Sequence, residues 1–237
     1  ISTEMAGFVG NILVIYDIRS PSNPLEISRW WMEGQNVAGG ETPSPKHAEH
    51  RLHHGMRCGN EIFAGCWMSG VSIIDVSDIT KPRTLSRYEY DPPCPEPTHT
   101  FLKVPHLIGG KSIAVSTEEE RAHRGADAGQ PHAPLRTWDV SDPTQPKLLH
   151  SYYLPEMATP YPAAQVRFGT HQLREKVDDD NLLYVTWFAG GLRIIDISDP
   201  ANPKERGYFI PKPGDGVAGP LTNDVFKADR GLLWVTD

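Results

Sequence analysis

Three histidines occupy the same position in short segments that resemble one another. The segments are residues 53–56, 98–101, 170–173 and 222–225, and each has Thr or His, then His or Asn, then any residue, then an apolar one. The second position holds His54, His99, His171 and Asn223. Neutral imidazole is a common ligand of transition metals, so a shared position that brings these rings together predicts a metal site. We assign His54, His99 and His171 as its ligands and a divalent transition-metal ion (Zn, Cu, Fe or Mn) as its cofactor.

A plainer explanation of the three histidines stands beside this one. A histidine next to a threonine at the start of a strand can bond to the neighbouring backbone. Repeated copies would keep such a residue because it stabilises each unit, and no ligand would then be bound.

Two further residues are candidates for catalytic roles. His53 directly precedes His54 in the histidine-rich stretch 46–54 and can orient His54 or a substrate. The spacing of His50 and His54 would suit a ligand pair on a helix, but the prolines before it and the strand after it favour a loop. Glu118 stands where equivalent segments have bulky apolar residues, which makes it a candidate general base. The alternative for Glu118 is a solvated acidic turn before an insertion at residues 120–134, which we expect to be a mobile loop covering one face.

The elements that must position these side chains lie in four copies of one unit, at residues 14–24, 73–82, 137–146 and 194–203. In each copy an apolar, β-rich run ends in an aspartate, and a short segment that closes on proline follows. Asp and Ser side chains bond to nearby backbone N–H groups, and Pro fixes φ and ends strand pairing, so this segment predicts a tight turn. A strand follows each turn and two strands precede each copy, which gives four-stranded units.

Such units, repeated radially, make a β-propeller, in which the innermost strands line a central channel. The fold predicted is therefore all-β, with four recognisable blades and part of another in one domain over residues 1–237. Equivalent positions on the inner strands would form a ring, on which His54, His99 and His171 converge. The third copy departs from the pattern, with Thr137 and Trp138 where an aliphatic pair is expected.

The sequence Ile-Ile-Asp-Val-Ser-Asp-x-x-x-Pro at residues 73–82, with its copies, resembles the LVIVD-repeat family of β-propellers. It is more distantly similar to the selenium-binding-protein-like propellers. The resemblance implies the propeller fold and says little about activity, because one fold carries many functions. Some propeller oxygenases hold iron with axial histidines, which supports the metal assignment by analogy.

The amino-acid composition argues against some classes of binding partner. The 237 residues include 21 Gly and 22 Pro, an excess of residues that interrupt helices and favour turns. A formal charge of −7 is opposite to the basic footprint of a nucleic-acid-binding protein, and no apolar run is long enough to span a membrane. The chain begins at Ile1 and ends inside an expected strand, so we expect an incomplete ring that residues beyond 1–237 complete.

The leading hypothesis is a metal-dependent enzyme that oxidises, hydrolyses or cleaves a small-molecule substrate. The rival hypothesis is a non-catalytic propeller that binds a protein or glycan through its loops, while the histidines only brace the blades.

Overall fold

The computed structural model describes residues 1–43, 49–91, 94–121, 133–162, 165 and 167–237. Strands dominate this part of the chain, and its helices are short 3-10 turns at Val37–Gly39, Pro155–Ala158 and Asp229–Gly231. Among the described residues no helix is long and apolar enough to cross a membrane. The chain divides into two compact units, residues 1–102 with 142–146 and residues 103–141 with 147–237.

The first unit contains two blades of antiparallel strands. Blade 1 has three strands, β1 (Ser2–Glu4), β2 (Asn11–Asp17) and β3 (Leu25–Trp30). Blade 2 has four, β4 (His50–Cys58), β5 (Glu61–Trp67), β6 (Val71–Asp75) and β7 (Arg83–Tyr88), each paired with the next along the chain. Blade 2 therefore has the complete four-stranded form that the sequence repeat predicts.

The remaining strands belong to three further blades. Blade 3 has β8 (Thr98–Ile108), which begins in the first unit, and then β9 (Lys111–Glu118), β10 (Leu135–Asp139) and β11 (Lys147–Tyr152). Blade 4 has β12 (Leu182–Thr186), β13 (Leu192–Asp196) and β14 (Lys204–Phe209), and a single bridge from Leu173 to Val185 stands in for its inner strand. Blade 5 has β15 (Asp224–Lys227) and β16 (Leu233–Thr236).

The repeated aspartate closes the turn as expected. Oδ1 of Asp75 accepts a hydrogen bond from the backbone N–H of Ser77 at 2.8 Å, and Asp139 and Asp196 accept equivalent bonds. The same carboxylate also pairs with a cation, which is Arg83 for Asp75. The backbone N–H of Ser77, with the Ser77 hydroxyl and Arg83, lowers the pKa of Asp75 to about 2. These bonds hold the carboxylate ionised and fix the direction in which β7 leaves the turn.

The irregular third copy has a structural explanation. The Ser28 hydroxyl of blade 1 donates to the carbonyl of Ile79, in the turn of blade 2, and Ser86 donates in the same way to Pro143. At the equivalent place on β11 the pairing puts a histidine opposite Thr137, and the Thr137 hydroxyl itself donates to the carbonyl of Pro200. The substitution in the third copy therefore keeps the bond to the next turn while changing the strand that supplies it.

Each unit has its own apolar core between strands. In the first unit the core includes Leu13, Trp30, Leu52, Ile62 and Ile74. The second unit buries Trp138, Trp187, Phe168 and Phe188 almost completely. Most of the predicted insertion, residues 122–132, lies outside the described part of the chain, and so does His47 of the histidine-rich stretch.

Candidate metal site

A bulge in strand β4 sets the direction of His53 and His54. His50 pairs with Trp67 and His54 pairs with Gly65, so three residues on β4 lie opposite a single residue on β5. A bulge of this kind bends the strand and re-aims the side chains within it. From His50 onwards the segment is a strand, so it is neither the helix that the His50–His54 spacing would suit nor the loop that the prolines favour.

Gly65 lets the next blade's inner strand approach β5. A Cβ atom at position 65 would lie only 2.6 Å from the carbonyl oxygen of His99, which no ordinary contact permits. One residue pair further, Trp67 pairs with Thr98 and anchors the start of β8. The absence of a side chain at position 65 therefore brings the His99 backbone close to the His54 side of blade 2.

The result is a cluster of three imidazoles within the first unit, His53, His54 and His99, here called the histidine cluster. Ring centroids lie 4.2 Å apart for His53 and His99, 5.3 Å apart for His54 and His99, and 5.5 Å apart for His53 and His54. Each residue has one ring nitrogen within 4.8 Å of those of the other two. His99 is buried, and His53 and His54 are half-buried.

Hydrogen bonds to the cluster orient its rings. Nδ1 of His53 lies 3.2 Å from the carbonyl oxygen of His99. A carbonyl oxygen only accepts, so this bond puts the proton of His53 on Nδ1 and the lone pair on Nε2. Nδ1 of His54 and Nδ1 of His99 lie 3.2 and 2.8 Å from the hydroxyl oxygen of Thr100. That oxygen has two lone pairs, so it can accept from both rings, which puts the lone pair of each ring on Nε2.

Trp67 supports the cluster from the end of β5. Its ring stacks on that of His53 with centroids 4.8 Å apart and planes 19° apart. The indole Nε1–H donates to Oε2 of Glu49 at 2.5 Å, and the guanidinium of Arg51 lies 4.3 Å from the centroid of the Trp67 ring. The left-handed backbone of Trp67, with φ of 53°, turns the ring into this position.

His171 lies in the second unit, at the register that the sequence predicts for it. The backbone N–H of His171 donates to the carbonyl of Thr186, and Thr186 has the place on β12 that Gly65 has on β5. Nδ1 of His171 donates to the carbonyl oxygen of Asn223 at 2.7 Å, which leaves the lone pair on Nε2. Burial lowers the pKa of His171, and the Asn223 carbonyl and the Glu119 carboxylate act against that shift.

Glu118, the predicted general base, is fully buried in the second unit. Oε1 of Glu118 accepts from Nε of Arg136 at 3.1 Å, and the backbone N–H of Glu118 donates to the Thr170 hydroxyl. The β9–β10 register puts Glu118 level with Cys66 of blade 2 and Trp187 of blade 4. Its base role stays a prediction, and the contacts just described are those of a structural ion pair.

Sequence reasoning missed three residues beside these histidines. Thr100 touches two rings of the cluster, and its signal was the run Thr98-His99-Thr100. Glu119 lies 3.9 Å from Nε2 of His171 and 2.9 Å from Nη2 of Arg167, so the second glutamate of the acidic run, and not the first, faces that histidine. Arg51, inside the histidine-rich stretch, had no signal beyond its position.

The other histidines have different surroundings. Nδ1 of His50 lies 2.6 Å from the hydroxyl of Ser69, and Nε2 lies 3.2 Å from the carbonyl of Glu33, so the buried ring joins two turns. Nε2 of His106, at the far end of β8, donates to Oδ1 of Asn181 at 2.8 Å. These contacts suit structural roles.

Comparison with known proteins agrees with the repeats. The LVIVD repeat family matches residues 7–30 and 179–209, which contain the first and fourth copies. No curated protein matches the chain. Among solved structures, a hypothetical selenium-binding protein from Sulfolobus tokodaii matches at 13% identity and a TM-score of 0.39, over 83% of this chain and 56% of its own. This chain thus spans little more than half the length of that protein.

The repeat match and the blades described above confirm the predicted all-β propeller fold. The four aspartate turns share one hydrogen-bonding scheme, in which the carboxylate accepts from the backbone N–H two residues on. The chain therefore carries the LVIVD repeat at residues 7–30 and 179–209.

Proposed function

We propose that the histidine cluster binds a divalent transition-metal ion (Zn, Cu, Fe or Mn) and that the protein is a metal-dependent enzyme acting on a small molecule. The observation that carries the proposal is the convergence of His53, His54 and His99, with a ring nitrogen of each within 4.8 Å of the others. Three neutral imidazoles with a fourth position open are a common ligand set of catalytic metals.

The spacing fits a metal after a small adjustment. Ligand atoms about 2.0–2.1 Å from one ion lie about 3–4 Å from each other. The 4.8 Å bound on the nitrogens is wider than this, so the half-buried His53 and His54 rings would have to move towards His99 to bind one ion. His99, which is buried and bonded to Thr100, is the fixed member of the set.

The neighbouring groups favour the ligand form of each ring. The His99 carbonyl accepts from Nδ1 of His53, and the Thr100 hydroxyl can accept from Nδ1 of His54 and His99. Holding a proton on Nδ1 leaves the lone pair on Nε2, which is the form of imidazole that binds a metal, and raises the basicity of the ligand. The Trp67 ring stacks on one face of His53.

A bound metal would act there as a Lewis acid or a redox centre. Oxidation, hydrolysis and lyase chemistry all match these properties.

Metal analysis tests the proposal directly. Protein purified without added metal should contain close to one metal ion per chain by plasma mass spectrometry, and His54→Ala and His99→Ala should each lose most of it. His150→Ala, which changes a histidine on β11, is the matched control and should retain the metal. Substoichiometric metal in the parent protein that His99→Ala leaves unaltered would sink the proposal. His171→Ala, measured in the same series, tests whether the predicted third ligand belongs to the site.

The rival function is a non-catalytic binding propeller whose histidines brace the blades. The bonds from His53 to the His99 carbonyl and from His99 to Thr100 favour it, because they link strands without any ligand. In that case His99→Ala lowers the melting temperature, while added Zn²⁺ or Cu²⁺ does not raise that of the parent protein.

A further inference from the structure

A cavity of about 290 Å³ lies in the first unit, apart from the three imidazoles of the histidine cluster. The described residues that line it are Val9, Gly10, Gly34, Gln35, Pro43, Glu49, His50 and Arg51. Val9, Pro43 and the two glycines give apolar and backbone walls, while Glu49 and Arg51 bring the formal charges. The volume is at the small end of ligand pockets in proteins.

Gln35 holds the walls in place before any ligand arrives. The side chain is 1% exposed, its Nε2 donates to the carbonyls of Val9 and His50 at 2.9 and 3.2 Å, and its Oε1 accepts from the backbone N–H of Met32. Gly10 permits the close packing of this wall, because a Cβ there would lie 2.6 Å from the His50 carbonyl and 3.0 Å from Cβ of Arg51. The cavity is therefore preformed.

Arg51 supplies the positive charge on the cavity wall. Its Nε atom is buried and has no hydrogen-bond partner among the residues that the structure describes. The guanidinium carbon lies 4.3 Å from the centroid of the Trp67 ring, a cation–π contact that holds the charged end of Arg51 beside the indole. The planar guanidinium of an arginine matches the two oxygens of a carboxylate.

Glu49 is the one negative charge on the cavity wall among the described residues, and Oε2 of this carboxylate accepts from Nε1 of Trp67. It favours the Arg51 charge and opposes an incoming anion. An anionic ligand must therefore gain more from its ion pair with Arg51 than it loses to repulsion by Glu49. Because this repulsion grows with the charge of the ligand, a single carboxylate is favoured over a multiply charged anion.

We propose that this cavity binds a small organic monocarboxylate with a short apolar body, whose oxygens pair with the Nη atoms of Arg51 while the body contacts Val9 and Pro43. This site is independent of the proposed metal at the histidine cluster.

Calorimetric titration with benzoate and with benzamide tests the proposal. Protein dialysed against a chelator is used, because a carboxylate could otherwise bind to a metal at the histidine cluster. We expect benzoate to bind at least about tenfold tighter than benzamide, which has the same body without the charge. Arg51→Gln should weaken benzoate by at least about tenfold, and Glu49→Gln, which removes a like charge, should tighten it about two- to threefold.

Arg57→Gln is the matched control, because Arg57 is exposed on the same strand and donates to the Gly59 carbonyl. It should bind benzoate as the parent protein does. Absence of benzoate binding to the parent protein, equal binding of benzoate and benzamide, or unchanged binding in Arg51→Gln would each overturn the proposal. If Arg51→Gln does not fold by circular dichroism, the parent protein with the two probes and Glu49→Gln still decide the outcome. Loss of metal binding by the histidine variants leaves this test unaltered.

Discussion

Blade 2 in the first unit and blade 4 in the second share one backbone device. The strands β5 and β12 both lead into a residue with a left-handed backbone, Trp67 with φ of 53° and Phe188 with φ of 41°. A glycine with φ of 73° or 74° follows three residues later, Gly70 or Gly191. An arginine lies over each aromatic ring, with its guanidinium carbon 4.3 Å from the Trp67 centroid and 3.6 Å from the Phe188 centroid.

The side chains around these two turns differ. Trp67 stacks on a histidine of a three-imidazole cluster, whereas Phe188 lies 4.9 Å from His171, a ring that has Glu119 and Arg167 nearby within the second unit. Position 65 is a glycine that permits close approach of a strand, and its equivalent is Thr186. The comparison shows that the repeat preserves the backbone turn, while the chemistry varies at the positions next to it.

Substitution of the glycine in the shared turn should have the largest effect on the free energy of unfolding. A Cβ at Gly70 would lie 2.1 Å from the carbonyl oxygen of Tyr88, and one at Gly191 would lie 2.3 Å from that of Phe209. Because both also have positive φ, Gly70→Ala and Gly191→Ala should each lower the free energy of unfolding by at least about 4 kcal/mol. The free energy of unfolding is measured by urea denaturation, with circular dichroism as the signal.

Gly59→Ala separates the two causes, since Gly59 has φ of 61° but open space around its Cβ position. It should cost about 1 kcal/mol. A Gly70→Ala effect as small as that of Gly59→Ala would mean that the turn relaxes and that the backbone device is not shared.

The strands β6 of blade 2 and β13 of blade 4 differ in whether they carry a buried charge. Arg193 of β13 is fully buried, and its Nη1 donates to Glu156 at 2.9 Å and to Glu205 at 3.0 Å. The equivalent residue of β6 is the neutral Ser72. Arg193→Met should destabilise the protein by about 3 kcal/mol because two carboxylates lose their partner. Ser72→Ala should cost less than about 1 kcal/mol. Equal effects in urea denaturation would contradict the contrast.

A substitution at position 65 tests whether β8 must lie close to β5. Gly65→Ala should cost about 2 kcal/mol, because the new methyl must displace the His99 backbone. Thr186→Val, which removes the hydroxyl bonds to Asn223 and Gln172, should cost about 1 kcal/mol. If the histidine cluster binds a metal, Gly65→Ala also loses it and Thr186→Val does not. Full metal content in Gly65→Ala would show that the cluster tolerates this displacement.

The repeat made much of the fold predictable from sequence, and the sites less so. An aspartate two residues before a backbone N–H, and a proline closing the turn, are local signals, so the turn at Asp75 could be foreseen. The ion pair of Glu118 with Arg136 joins neighbouring strands whose separation in sequence spans an insertion, and no local pattern announces it. Arg51 was missed for a similar reason, because its contact with Trp67 depends on how the β4 bulge directs each side chain.

The aspartate turns should respond alike to acid, and this is the mildest of the four tests. The backbone N–H of Ser77 is the main cause that lowers the pKa of Asp75 to about 2, and the backbone N–H of Ser198 lowers that of Asp196. A carboxylate whose pKa is lower in the folded protein than its unfolded value of about 3.9 stabilises the fold above that value. This contribution disappears as the pH falls from about 4 towards 2.

Asp75→Asn and Asp196→Asn keep an acceptor for the turn but do not titrate, so each should flatten the dependence of unfolding free energy on pH in that interval. Urea denaturation at several pH values measures the slope. If only one of the two variants flattens the pH dependence of the unfolding free energy, the two blades share the shape of the turn but not its electrostatics.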